Sequence, residues 1–427
     1  MCFQMKRPAN LLKVLLLLGS GLLLQICIGC LGDARSGAVG ASLPTSEGGV
    51  ASRAVCTQVM AGQRLNADEV ARMVEVRSRF FGAGNVDART GAVRADRFIA
   101  TWVDVTGYAV AMQGHVLLWD AFIGDTSGYV PTNDCELSDL RPEFIFVGHG
   151  HFDHAQLVPT ILNRNRSTVV IGSGELCSDV VAATSSLFTP NCIVAIPLGA
   201  DQATRSELNG IIPSIAITAL KHPHSDAAAP EDLSNPSLIL PVPLVTKLPG
   251  QGPCLEASAG GAAVGCPALT SPGSLTPSYV QDGKVSVLYQ FRFGNNFAVT
   301  WNNTNGPNLV GDAVLTAMAG LPQTDLEFGS ILGFNGITNG FLDARHIAEA
   351  LRTRMLIPGH HDFLPGVAGE TFEPSLRAEF NKMPQATRPG IQFMADPGDY
   401  VNPTRMIWNP SSKIWSQPGP VAESQGR

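Results

Sequence analysis

The sequence predicts a layered α/β body. Short apolar runs of strand length alternate with longer runs of helical pattern over much of the chain. The 44 glycines and 30 prolines punctuate those runs with turns and loops. Three of the apolar runs end in histidine. The chain has nine histidines. Seven of them fall into three tight groups: His149/His151/His154, His222/His224 and His360/His361.

The chain has 427 residues, 44% of them hydrophobic and 15% charged, enough for one large domain or two ordinary ones. Its net charge is −7 and no basic run is present, which argues against nucleic acid as a partner and fits a small-molecule substrate. The N-terminus reads as an export signal, residues 1–30. Lys6 and Arg7 precede an apolar run over 11–28 that Lys13 and Gln25 interrupt. Cys27-Ile28-Gly29-Cys30 resembles a bacterial lipoprotein cleavage box with Cys30 as the lipidated residue, which implies membrane attachment and a place in the periplasm or cell envelope. Plain secretion and an uncleaved anchor are the alternatives. Six further cysteines are an even set suited to an oxidising compartment. Proximity in sequence favours Cys254–Cys266, then Cys177–Cys192, leaving Cys56–Cys135.

Residues 31–62, rich in Gly, Ala and Ser, read as a flexible tether. The folded domain is expected over 63–410. It opens with a helix at 69–81, announced by Asn66 three residues before Glu69. Strands at 98–105, 109–112 and 115–119 form a meander ending at Asp120. His115 reads as structural or surface. A strand at 144–147 runs into the first histidines, followed by a helix at 157–163, a strand at 169–172, a helix at 175–184 and strands at 193–196 and 215–220. Residues 225–280 change character and read as an inserted loop that overhangs the site or is a disordered excursion. Strands at 285–293 and 297–301 pair through Gly294-Asn295-Asn296. Helices at 311–319 and 344–353 flank a strand at 325–331. His346 reads as a helix-surface residue. A strand at 355–357 enters Pro358-Gly359-His360. Residues 411–427 read as a tail, and no internal repeat is visible.

The chemistry concentrates in Gly148-His149-Gly150-His151-Phe152-Asp153-His154. Imidazole nitrogen and carboxylate oxygen at this spacing suit a borderline divalent metal such as zinc. His149 and His151, two residues apart, can point the same way from an extended turn, and Asp153 and His154 extend the set to a second metal. Two cations would polarise a carbonyl or phosphoryl oxygen and lower the pKa of a bridging water.

His149-x-His151-x-Asp153-His154, with Asp120 at the end of Val116-Leu117-Leu118-Trp119 and the segment Leu356-Ile357-Pro358-Gly359-His360, resembles the signature of the metallo-β-lactamase-fold hydrolases over residues 75–365. The Pro-x-His ending is similar to the branch that includes ascorbate-6-phosphate lactonase-like enzymes. The resemblance implies an αββα four-layer sandwich with the site at one sheet edge. It implies one or two Zn2+, or another divalent transition metal. His149, His151 and a third histidine would hold the first metal, and Asp153, His154 and His360 the second. Asp153 would also orient the attacking water. The third histidine is His224 or His222, with His224 preferred because Ser225 follows it. His361 is expected to be a neighbour of the site. Asp120 either coordinates or, the preferred reading, orients a ligand from outside the coordination sphere.

One departure stands out. The family's bridging Asp falls at Asn303 in Trp301-Asn302-Asn303-Thr304, and a neutral amide cannot supply an anionic bridge. Asp312 is a substitute, although its context reads as a helix N-cap. The expected function is hydrolysis of an ester, lactone or phosphodiester. The competing expectation is a catalytically weakened binding protein of the same fold with a degraded second metal site. A β-lactam substrate fits the motifs less well.

Overall fold

The computed structural model of the chain describes residues 64–123, 130–184, 188–225, 285–306, 312–331, 341–361, 372–394, 396–417 and 419–421. The export segment with Cys30, the tether and all but the first residue of the 225–280 insertion lie outside them.

Two seven-stranded sheets face each other. The first contains β1 (Phe98–Asp104), β2 (Gly107–Met112), β3 (His115–Trp119), β4 (Phe144–Phe146), β5 (Val169–Ser173) and β6 (Asn191–Ile196), in that order across the sheet. The second contains β7 (Arg205–Glu207), β8 (Ile215–His222), β9 (Ser286–Phe293), β10 (Ala298–Asn302), β11 (Leu326–Ser330), β12 (Met355–Gly359) and β13 (Gly390–Ile391), again in order. A short β14 (Ile407–Trp408) pairs antiparallel with β1 at the edge of the first sheet. The two halves share a pattern. From β1 to β6 the pairings run antiparallel twice and then parallel, and from β8 to β13 they do the same. The topology therefore repeats although no sequence repeat is visible.

The central strands bury both faces, so their sequences are largely continuously apolar rather than alternating, whereas the edge strands β6 and β7 are partly exposed. Along β1, Phe98, Ala100 and Trp102 join the layer between the sheets, and Ile99 and Val103 face the outer helices. The inter-sheet layer is aromatic: Trp119 stacks on Trp301 with centroids 5.6 Å apart at 16°, and Tyr289 on Trp301 at 5.9 Å and 15°. Outside the first sheet lie α1 (Ala67–Phe81), α2 (Asp134–Asp139), α4 (Val158–Arg164) and α5 (Gly174–Thr184), with the single turn α3 (Phe152–Ala155) at the strand ends. Outside the second lie α6 (Ala313–Ala319), α7 (Leu342–Leu351) and α8 (Glu373–Phe380). The result is the αββα sandwich.

Local chemistry sets the element ends. Helix α1 begins where Asn66 accepts from the Glu69 amide at 2.9 Å and Glu69 accepts from the Asn66 amide at 2.8 Å. Cys177 and Cys192 form a disulfide that ties α5 to the edge strand β6. Cys135 is disulfide-bonded as well, and the pairings Cys56–Cys135 and Cys254–Cys266 themselves fall outside the described residues.

Two expectations are corrected. His346 lies on the buried side of α7, 6% exposed, because α7 is covered by packing on both sheet and neighbouring helices. The stretch read as a tail packs onto the body as far as Val421, which is 1% exposed. Arg354, itself buried, holds it by donating to the carbonyls of Ile414, Trp415 and Gly419.

Beneath α7, Glu327 on β11 is buried and accepts a hydrogen bond from the Thr353 hydroxyl. Burial raises its pKa from 4.5 to about 7, only partly offset by that hydrogen bond. The folded chain thus holds this proton more tightly than the unfolded chain. The associated stability is complete below about pH 4.5 and is lost as pH rises through about 7. We expect Glu327→Gln to remove this dependence. The stability difference between wild type and variant, measured by urea unfolding, should change by up to about 3 kcal/mol between pH 4.5 and 8 in favour of the variant. Parallel pH profiles would contradict the assignment.

Candidate metal centre

The C-terminal ends of β3, β4, β8, β10 and β12 meet at one edge of the sandwich, and each delivers one part of the site. Asp120 follows β3, residues 148–154 follow β4, His224 follows β8, Asn303 follows β10 and His360 follows β12. Two of these residues have a left-handed backbone, Asp120 at φ 56° and His360 at φ 62°. For a residue with a Cβ that conformation costs about 1–2 kcal/mol and is held by surrounding contacts. Here Asp120 N donates to Phe146 O at 2.8 Å and His360 N to Val105 O at 3.0 Å.

Two groups of donor atoms form. His149, His151 and His224 make the first, and Asp153, His154 and His360 the second. In the first, His149 Nε2 lies 2.8 Å from His151 Nδ1 and 3.1 Å from His224 Nε2. In the second, Asp153 Oδ2 lies 3.4 Å from His154 Nε2 and 3.6 Å from His360 Nε2. The groups adjoin, with the rings of His149 and His154 4.2 Å apart. The motif splits between them because it is not extended throughout. His151 O accepts from both His154 N and Ala155 N at 3.0 Å, and this helical turn swings Asp153 and His154 away from His149 and His151. His149, Asp153 and His154 are buried, whereas His151, His224 and His360 keep partial exposure and form the open side.

Partners outside the groups decide which ring nitrogens carry protons. His149 Nδ1 is 2.9 Å from Asn303 Oδ1, and His224 Nδ1 is 2.7 Å from Ser225 O. Both are acceptors, so both rings are Nδ1–H tautomers. Their Nε2 atoms then turn lone pairs toward each other 3.1 Å apart, with His151 Nδ1 2.8 Å from the His149 Nε2. Protonation is not an escape. Burial first, and the neighbouring imidazoles second, hold His149 and His224 well below the ordinary histidine pKa, and burial holds His151 at about 4. Lone pairs arranged to face each other in a buried site are what a divalent cation requires, and three imidazoles, or two with a carboxylate, suit a borderline metal. Burial alone would raise the Asp153 carboxyl, but His154 and His360 outweigh it and hold it far below its usual range, so it is present as an anion.

The remaining expected residues have definite places. Asp120 is in neither group. Its Oδ2 accepts from His154 Nδ1 at 2.7 Å and from Thr106 Oγ1 at 3.1 Å, and its Oδ1 from Gly148 N at 3.2 Å. Burial pushes the Asp120 carboxyl up, with His154, Asn303 and Gly148 pulling the other way. His222 lies on the outer face of β8, fully buried, with Nδ1 3.0 Å from Pro223 O and its Nε2 without a hydrogen-bond partner among the described residues. It is not in either group. Asp312 caps α6, accepting from Leu315 N at 2.7 Å. His361 is buried, with Nε2 2.6 Å from Met394 O and its ring stacked on Trp102. His115 sits at the surface 2.6 Å from Glu143.

Asn303, at the position expected for the bridging Asp, has its amide nitrogen 3.1 and 3.0 Å from the two Asp120 oxygens and its carbonyl oxygen 2.9 Å from His149 Nδ1. Sequence reasoning also missed two supports. Thr106, in the β1–β2 turn, donates to Asp120 while its carbonyl accepts from Trp301 Nε1 at 3.1 Å; nothing local marks it. Gly148 lets Asn303 approach, since a Cβ there would fall 2.3 Å from the Asn303 Cγ and Oδ1. Its place beside the histidines was a usable signal. We expect Gly148→Ala to leave a folded protein, destabilised by about 1–3 kcal/mol. It should weaken binding at the first group about ten- to hundredfold in a competing-chelator titration. Unchanged metal affinity would contradict this.

No family model and no curated protein matches the chain. Solved structures similar to it include Igni18, a metallo hydrolase from Ignicoccus hospitalis, at 14% identity over 70% of this chain and 95% of that one, with a TM-score of 0.42. The metallo-β-lactamase-fold protein YhfI from Bacillus subtilis is 13% identical over 73% and 99%, with a TM-score of 0.35. An isothiocyanate hydrolase from Delia radicum gut bacteria is 10% identical over 70% and 97%, with a TM-score of 0.38. These are remote likenesses of fold, and the functional reading rests on the chain's own residues.

Proposed function

We propose that the chain is a metal-dependent hydrolase, with zinc as its metal, acting on an ester, lactone or phosphodiester outside the cytoplasm and attached to a membrane through Cys30. The carrying observation is the first donor group, where hydrogen bonds to Asn303 and Ser225 leave two imidazole lone pairs facing each other at 3.1 Å. His149, His151 and His224 would hold one cation and Asp153, His154 and His360 a second. A divalent cation there supplies Lewis acidity toward a carbonyl or phosphoryl oxygen and acidifies a water molecule.

The chain's own residues do the rest. Asp153, anionic and 8% exposed, accepts a hydrogen bond from a water and aims its lone pair at the substrate. Asp120 fixes the His154 ring by accepting from Nδ1, which turns Nε2 toward Asp153. Substrate approaches over His151, His224 and His360, the partly exposed side. Burial of the remainder excludes bulk water and strengthens each electrostatic contact.

The competing reading, a binding protein of the same fold, draws on Asn303, whose neutral amide faces Asp120 and His149 and supplies no anionic bridge between the groups. Metal content decides between the two. The hydrolase reading predicts about two zinc ions per chain by elemental analysis and turnover in an esterase, lactonase and phosphodiesterase panel. His149→Ala should lose one equivalent of metal and at least about a hundredfold in kcat/KM, since even residues outside the coordination sphere typically matter by ten- to hundredfold. One ion or none, with no turnover by the intact chain, would favour the binding protein.

A further inference from the structure

Each donor group takes two residues from the loop after β4 and one from the second half of the sandwich, and one buried hydrogen-bond chain runs through both groups. It passes from His154 Nδ1 to Asp120 Oδ2 at 2.7 Å, from Asn303 Nδ2 to the Asp120 oxygens at 3.0 and 3.1 Å, and from His149 Nδ1 to Asn303 Oδ1 at 2.9 Å. Asn303 is fully buried and Gly148 packs against its amide, so it has no room to swing out. Its orientation is also chemically forced. Turned over, its carbonyl would meet the Asp120 carboxylate, acceptor against acceptor, and its NH2 would meet His149 Nδ1. His149 would then have to carry its proton on Nε2, in the centre of the first donor group.

We propose that Asn303 is the positioning residue that sets the ligand tautomer of His149 and joins the two donor groups through Asp120, and that aspartate at this position would disrupt the centre rather than supply a bridge. The functional consequence rests on the metal-dependent reading, whereas the tautomer is a property of the chain itself. An amide donates on one side and accepts on the other, as this chain of bonds demands. Aspartate has the same shape but only accepts. Asn303→Asp would place two buried carboxylates about 3.0 Å apart, with like charges opposed and the donor to Asp120 lost. Asp120 would be loosened, and with it His154, so damage at the first group would spread to the second. Asn303 thereby couples two sites that share no ligand.

The test uses the full chain, stripped of metal by chelation, and reads histidine tautomers by nitrogen-15 NMR of the imidazoles. Wild type should show His149 protonated at Nδ1. Asn303→Ala should release it toward the Nε2–H form, as should Asn303→Ser, a second variant should the first not fold. In the metal-loaded chain, zinc affinity measured against a competing chelator should fall about ten- to hundredfold in Asn303→Asp and Asn303→Ala, and the second equivalent should weaken with the first. His149 remaining Nδ1–H in both neutral variants would overturn the proposal. So would tighter binding of a second zinc in Asn303→Asp, the result a bridging role requires. If wild type binds no metal while the tautomer still shifts, the metal reading fails and the positioning role stands.

Discussion

A carboxylate with no exposed side chain must be surrounded by donors, and Asp120 draws them from both halves of the sandwich. Gly148, Thr106 and His154 approach from the first half, and Asn303 reaches across from the second. The left-handed backbone of Asp120 and the close approach allowed by Gly148 both serve this arrangement. Removing any of these donors would take one hydrogen bond from a buried charged group, at about 1.5–3 kcal/mol. The geometry of His149 and His154, and so of both donor groups, follows from it.

The sandwich makes such a meeting point possible. Parallel strands present their C-terminal ends on one edge, and the repeated strand order brings two such edges face to face. The stacked pair Trp119 and Trp301 lies just below, one ring from each sheet, and sets the distance across which Asp120 and Asn303 reach each other. The rigid aromatic layer holds the loops that carry the chemistry. The helices outside complete burial of the strands without contributing to either donor group.

Much of this was legible before the fold was known. Strands and helices followed from apolar runs bounded by turns, and α1 from its Asn66/Glu69 cap. The histidine groups stood out because histidine is scarce and falls at strand ends. What was not legible depended on direction and distance. Sequence names the residue at 303 but not which way its amide points, and that is set by Asp120, 183 positions away. The helical turn over Phe152–Ala155 escaped a reading based on an extended loop. His346 read as surface because one polar residue in a helix usually is, and only α7's burial between sheet and helices reverses that. The final segment carried no motif; its packing depends on the long-range bonds of Arg354 to carbonyls.

The central claim is that two cations are held by two separate sets of side chains, with Asn303 in neither. Anomalous scattering from crystals of the zinc-loaded chain, collected above and below the zinc edge, tests it directly. The account predicts two peaks, one among His149, His151 and His224 and the other among Asp153, His154 and His360. A single peak, no peak, or a peak coordinated by Asn303 or His222 would contradict it.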